Sequence, residues 1–222
     1  MKPTLSPRIK ICCISSVQEA HLAISYGASA LGLVSEMPSG PGVISEDLIQ
    51  EIAKEVPPPI ATFLLTSKQS ISEIIDQQRR CATNTIQICD WLVTGSYEQL
   101  RSSLPGISLV QVIHVQDENS LSQALNVAPY VDAVLLDSGN QALAVKELGG
   151  TGRTHNWEIS RQIREQLSIP IFLAGGLNPD NITEAIETVA PFGLDICSGV
   201  RTNGQLDEAK LASFFTKVQK QN

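Results

Sequence analysis

The sequence has little charge, few aromatic residues and no stretch built for a membrane. Of its 222 residues only 18% are charged and 5% aromatic. No apolar run approaches the ~20 residues that a membrane-crossing helix needs. Basic clusters are missing too: the formal net charge is -7, which excludes an electrostatic nucleic-acid or membrane surface. The three histidines and five cysteines show no metal-ligand spacing. The cysteines, Cys12, Cys13, Cys81, Cys89 and Cys197, are odd in number, and the adjacent pair is not a redox CxxC. Reduced thiols in a cytoplasmic protein are the expectation. The opening MKPTLSPRIK lacks the apolar core of a secretory signal, in keeping with that location. What is plentiful is apolar matter, 42% of the chain, enough for a large core and too much for disorder.

That apolar matter comes in a rhythm. Short runs rich in Ile, Val and Leu fall at 9–14, 30–34, 60–65, 85–89, 109–113, 133–136, 171–174 and 194–197. They are continuous rather than alternating, as strands buried on both faces are. Amphipathic stretches separate them at 17–26, 46–55, 70–80, 96–103, 120–127, 157–166, 179–189 and 207–220. Gly27 suits a helix C-terminus, Ser45 suits an N-cap, and the run Pro57-Pro58-Pro59 must end whatever helix precedes it. Asn178-Pro179 reads as a cap followed by proline at the first helical position. Eight strand–helix units without a break in composition predict one α/β domain over 1–222, a (β/α)8 barrel. An open doubly wound sheet would carry GxGxxG after its first strand; here Cys13-Ile14-Ser15-Ser16 stands there.

In such a barrel the working face is the C-terminal end of the strands. Glycine-bearing segments fall there late in the chain: Gly149-Gly150-Thr151-Gly152, Gly175-Gly176 and Ser198-Gly199. Glycine lets backbone N–H groups approach an anion, so Gly150, Gly152, Gly175, Gly176, Ser198 and Gly199 are candidates for holding a phosphate. The bland alternative is that these glycines only turn the chain. Period-two alternation on the first strand puts Arg8, Lys10 and Cys12 on the inner face and Ile9, Ile11 and Cys13 outside. Lys10 would then lie beside Cys12 and could reach a ligand. Cys12 reads as a base beside a cation or as a packed thiol. Asp137 reads as an acid at the mouth or as a loop-capping aspartate. His21 is expected at the surface, His114 and His155 in structural roles, and Cys13, Cys81 and Cys197 as small packed hydrophobes.

Lys10-Ile11-Cys12, Leu135-Leu136-Asp137-Ser138, Gly149-Gly150-Thr151-Gly152-Arg153-Thr154 with Trp157, Ala174-Gly175-Gly176-Leu177-Asn178-Pro179-Asp180-Asn181 and Asp195-Ile196-Cys197-Ser198-Gly199-Val200 occur in this order. Together with Gly32-Leu33-Val34 and Ile44-Ser45, this series resembles the phosphoribosylanthranilate isomerase family of tryptophan biosynthesis, from first strand to last helix. The resemblance implies an Amadori rearrangement of a small phosphorylated sugar substrate without cofactor or metal. It carries the general base onto Cys12 and the general acid onto Asp137. A monomer or homodimer is expected.

The pattern also breaks. The loop Met37-Pro38-Ser39-Gly40-Pro41-Gly42-Val43 has Gly42 where the family has an arginine that grips the anthranilate carboxylate. Gln87-Ile88-Cys89-Asp90 replaces the family's Gln-Leu-His-Gly, Gln111 stands where lysine is common, and Arg201 where glutamate is usual. Three readings stay open: Arg153 or Arg201 takes over the carboxylate, a paralogous barrel acts on or merely binds another phosphorylated sugar or aminosugar, or the fold persists with little turnover.

Overall fold

The computed structural model describes residues 7–220; the opening hexapeptide, which bears on the secretory-signal reading, lies outside them. Eight parallel strands close into a barrel: β1 (Arg8–Ile11), β2 (Ala30–Val34), β3 (Ala61–Thr66), β4 (Thr85–Ile88), β5 (Ser108–His114), β6 (Ala133–Asp137), β7 (Ile171–Leu173) and β8 (Gly193–Ile196). The helices that cross between them are α1 (Val17–Ser25), α2 (Glu46–Glu55), α3 (Ile71–Cys81), α4 (Tyr97–Ser103), α5 (Asn119–Val127), α6 (Trp157–Gln166), α7 (Ile182–Val189) and, after the last strand, α8 (Glu208–Gln219). The (β/α)8 expectation therefore holds. Among the described residues no helix is long and apolar enough to cross a membrane.

Local chemistry explains most boundaries. Ser16, Ser45 and Asp207 each accept a hydrogen bond from the third helical N–H, and Ser96 forms a reciprocal capping box with Gln99. α2 stops at Val56, whose extended backbone is what a residue before proline prefers. One start was misplaced. Asn178 accepts from the N–H groups of Asp180 and Asn181, which makes Asn178-Pro179-Asp180 a turn, and α7 begins only at Ile182. A hairpin of β9 (Arg201–Thr202) and β10 (Gln205–Leu206) was missed, although Asn203-Gly204 at its tip, both with positive φ, is a strong turn signal.

The core has two layers. Ile9, Ile11, Leu31, Leu33, Leu64, Ile86, Ile88, Ile113 and their like pack outward against the helices. A smaller inner set, with Cys12, Phe63, Leu65, Val110, Val112, Leu135 and Phe172, fills the barrel interior below the mouth. β1 and β8 form the closing seam. Along it Lys10 and Asp195 are register partners, and their side chains meet as an ion pair at 2.8 Å.

Candidate active site

At the C-terminal end of the strands lies a hollow. Cys12, just past β1, and Asp137, at the end of β6, both face it, with Gln87, Asp195, Cys197 and Ser198 on its walls. So the thiol and the carboxylate anticipated as a catalytic pair share one cavity. Asp137 is 8% exposed; its Oδ1 accepts the Ser138 N–H at 2.7 Å, and a side chain at Gly149 would start 2.8 Å from its Oδ2, one at Gly175 a tight 3.2 Å from its Oδ1.

The glycine segments converge on one corner. Gly150, Gly152, Gly175 and Gly176 all have positive φ and line the hollow with Ser198. A side chain on Gly176 would come within 2.6 Å of the Arg153 carbonyl carbon and 2.7 Å of the Thr154 nitrogen. The Asn178 and Asn181 amides both donate to the Gly176 carbonyl, at 3.2 and 3.0 Å, and fix that peptide. Gly199 departs from expectation. It does not face the hollow but packs behind it, against the Leu177 carbonyl and Asn178. Its lack of a side chain lets the last two loops touch.

Lys10 also lies deeper than a ligand contact would. It is completely buried, off the cavity wall, with its ammonium 5.2 Å from the centre of the Phe63 ring. A side chain at Gly32 would start 2.7 Å from Cys12 Sγ and 3.0 Å from Lys10 Nζ, so the cation sits next to the sulfur it was expected to accompany. Burial alone would push the Lys10 ammonium down, but Asp195 and Cys12 outweigh it and hold it above its ordinary range. Burial pushes the Asp195 carboxyl up, Lys10 counters that, and the nearby Asp137 charge adds to the rise. Asp195 was not singled out from the sequence. Its Oδ1 has no hydrogen-bond partner and its carboxyl lines the hollow.

Cys13 and Cys197 pack in the inner core as expected, and both also line the hollow. Cys13 has φ of 61°, which breaks the strand alternation and swings its thiol to the cavity side, 2.7 Å from Cys197 Sγ. Cys81 matches expectation: it is fully buried under α3, and burial pushes its thiol up to about 12. His114 Nε2 meets the Cys89 carbonyl at 3.0 Å, a structural role. His155 meets Ser160 Oγ at 2.7 Å, and burial pushes it down to about 4 despite Asp137 nearby.

The departures from the family pattern acquire positions. Arg201 cannot meet a ligand carboxylate: it is buried, paired with Glu19 at 2.9 Å, and donates to the carbonyls of Cys12 and Cys13 at 3.1 and 2.6 Å. It fastens the turn that carries Cys12 and Cys13. Burial opposes ionisation of Glu19, yet Arg201 and the N–H groups of Leu206 and Ser15 hold it below the usual carboxylate range. Arg153 is largely exposed, pairs with Glu147 and lies off the cavity wall. Gln111 is buried, accepting from Tyr97 Oη at 2.6 Å, and does not face the hollow. Gly42 has φ of 81° and presses against Cys13.

The model of the N-(5'-phosphoribosyl)anthranilate (PRA) isomerase family matches residues 9–217. N-(5'-phosphoribosyl)anthranilate isomerase 2 of Methanosarcina mazei is 35% identical, over 96% of this chain and 94% of that protein. The crystal structure of phosphoribosyl anthranilate isomerase from Thermotoga maritima is 27% identical, covering 96% of this chain and 99% of that one, with a TM-score of 0.78. A phosphoribosyl anthranilate isomerase solved with reduced 1-(o-carboxyphenylamino)-1-deoxyribulose 5-phosphate is 26% identical, with a TM-score of 0.76 and coverage of 96% and 99%.

Proposed function

The chain belongs to the N-(5'-phosphoribosyl)anthranilate isomerase family, and from that premise we propose that Cys12 and Asp137 carry out its proton transfers. The reaction is the Amadori rearrangement of N-(5'-phosphoribosyl)anthranilate to the carboxyphenylamino-deoxyribulose phosphate, an isomerisation in tryptophan biosynthesis. Asp137, as the acid, protonates the ring oxygen and the furanose opens to an iminium. The Cys12 sulfur, as the base, removes the C2′ proton, and the resulting enamine tautomerises to the ketone. The protonated imine is itself the electron sink, so the step asks for no metal or organic cofactor. Lys10 serves from beneath, placing positive charge beside the sulfur.

Gly150, Gly152, Gly175, Gly176 and Ser198 hold the phosphate through backbone N–H groups and the serine hydroxyl. Gly199 contributes by letting the corner close. The observation that carries this reading is that thiol, carboxylate and glycine corner line a single hollow. The substrate is a small phosphorylated sugar, and the working protein is one domain spanning 1–222, cytoplasmic, as monomer or homodimer.

Freshly prepared phosphoribosylanthranilate should lose its fluorescence on addition of the protein. Cys12→Ser should slow that loss by about 10²- to 10⁴-fold while inorganic phosphate still protects the fold against heat. Absence of turnover at high protein concentration would overturn the reading.

A further inference from the structure

The substrate named above ends in an aromatic carboxylate, a full negative charge at neutral pH. The main hollow offers it no cation: its walls carry Asp137 and Asp195 but no lysine, arginine or histidine. Next to the hollow, sharing Met37 and Leu148 with it, is a recess formed by Glu36, Met37, Pro38, Ser67, Gln69, Asp90, Lys146 and Leu148. Among the described residues lining either space, Lys146 is the one cation.

From this we infer that Lys146, on the loop after β6, is the specificity residue that receives the aglycone carboxylate. The inference rests on the isomerase reading and deepens it. Three observations support it. First, the lysine is held next to the segment where the family arginine is missing: Ser39 Oγ donates to the Lys146 carbonyl at 2.7 Å, and Pro41 packs on Gly150. Second, its ammonium is 2.5 Å from Asp90 Oδ2. Asp90 is itself fixed, since its Oδ1 accepts from the Trp91 N–H at 2.8 Å and from Gln141 Nε2 at 3.1 Å. A fixed carboxylate orients the lysine and occupies one of its three N–H donors, leaving others for a second carboxylate. Third, the two arginines that could compete lie elsewhere, Arg201 buried inside the seam and Arg153 off the walls of both spaces.

The recess also holds Glu36 and Asp90, so an anionic ring entering without the lysine would meet two like charges. Thus Asp90, a departure from the family pattern, and Gly42, another, form one rearrangement: the cation has moved from the loop after β2 to the loop after β6. Lysine presents a point charge rather than a planar fork, so the grip is less directional than an arginine pair.

The test compares reduced 1-(o-carboxyphenylamino)-1-deoxyribulose 5-phosphate with the phenylamino counterpart lacking the carboxyl, by calorimetry on the full chain. The unaltered protein should prefer the carboxylated ligand by about tenfold or more, as a hydrogen bond to a charged group would give. Lys146→Gln should bring that ratio close to one and raise KM for phosphoribosylanthranilate with kcat nearly unchanged. Lys146→Arg should restore the ratio. The affinity for inorganic phosphate should be the same in all three, which shows that the barrel is intact. If Lys146→Gln keeps the ratio while turnover persists, the inference is overturned and the isomerase reading stands. If the unaltered protein binds phosphate but neither ligand, both are overturned.

Discussion

On the β6–β8 side of the mouth, Gly176 and Gly152 bring backbone to the ligand corner, and Gly199 locks the loops behind it. On the β2–β4 side, Met37, Gln69, Asp90 and Lys146 meet through side chains. The first side has least freedom at Gly176 and Gly199, where a Cβ would come within 2.6 and 2.1 Å of main chain, while at Gly152 it is the positive φ that favours glycine. The second side has been rewired, with the cation on a different loop and a carboxylate added to hold it. A phosphate asks for N–H groups in a fixed cradle, which only backbone supplies cheaply. An aromatic carboxylate asks for one positive charge, which several loops can deliver.

That contrast can be broken most forcefully at Gly176. Gly176→Ala forces a β-carbon against the Arg153 and Thr154 main chain at a φ of 62°. The expected cost is about 4 kcal/mol of stability, combining overpacking with left-handed strain. Chemical denaturation measures that, and calorimetry should show weakened phosphate binding. A neutral result would mean the rigid side is not rigid.

Next comes His155, one residue beyond Thr154 on the same side. Its folded-state pKa lies near 4 against an ordinary 6.5. Between those values the unfolded chain binds a proton that the folded chain refuses, so stability is full above pH 6.5 and falls as the pH drops towards 4. The loss should be roughly 3 kcal/mol over that window. Denaturation midpoints across pH 4–7 would record it, and His155→Gln should flatten that part of the profile. An unchanged profile would place the acid sensitivity elsewhere.

The smallest effect sharpens the other side. Restoring the family residue through Gly42→Arg should fail, because Cys13 occupies the space and φ is 81°. A loss of about 2 kcal/mol is expected, with no gain in affinity for the carboxylated ligand. Tighter binding by this variant would show that the cation had not moved for structural reasons.

How much of this could be read in the sequence divides along the same line. Eight continuous apolar runs alternating with eight amphipathic stretches announced the barrel, because strands buried on both faces show no period of two while the helices keep theirs. The glycine segments marked the corner because glycine is favoured where main chain packs on main chain or φ turns positive. Cys12 and Asp137 were legible as residues at strand ends. Cys13 was not, since alternation assumes extended backbone and a φ of 61° reverses the outcome. Lys10 was placed correctly beside Cys12 but too near the ligand, because its partner Asp195 lies 185 residues away across the seam. Arg201 was taken as a possible ligand contact for a similar reason: Glu19, which claims it, is distant in the chain. Lys146 drew no attention, for nothing local marks a lysine whose importance comes from a missing arginine a hundred residues earlier.

The strand that leads into Cys12 is also the one that shuts the ring. Cys12 N–H donates to the Ile196 carbonyl at 2.8 Å, and the Arg201 guanidinium grips the Cys12 carbonyl from beyond the last strand. A loosened joint would therefore displace Cys12: parting the first and eighth strands carries its thiol away from Asp137. On the proposed roles, loss of turnover should accompany loss of circular closure, so that an activity assay would report the opening of this seam.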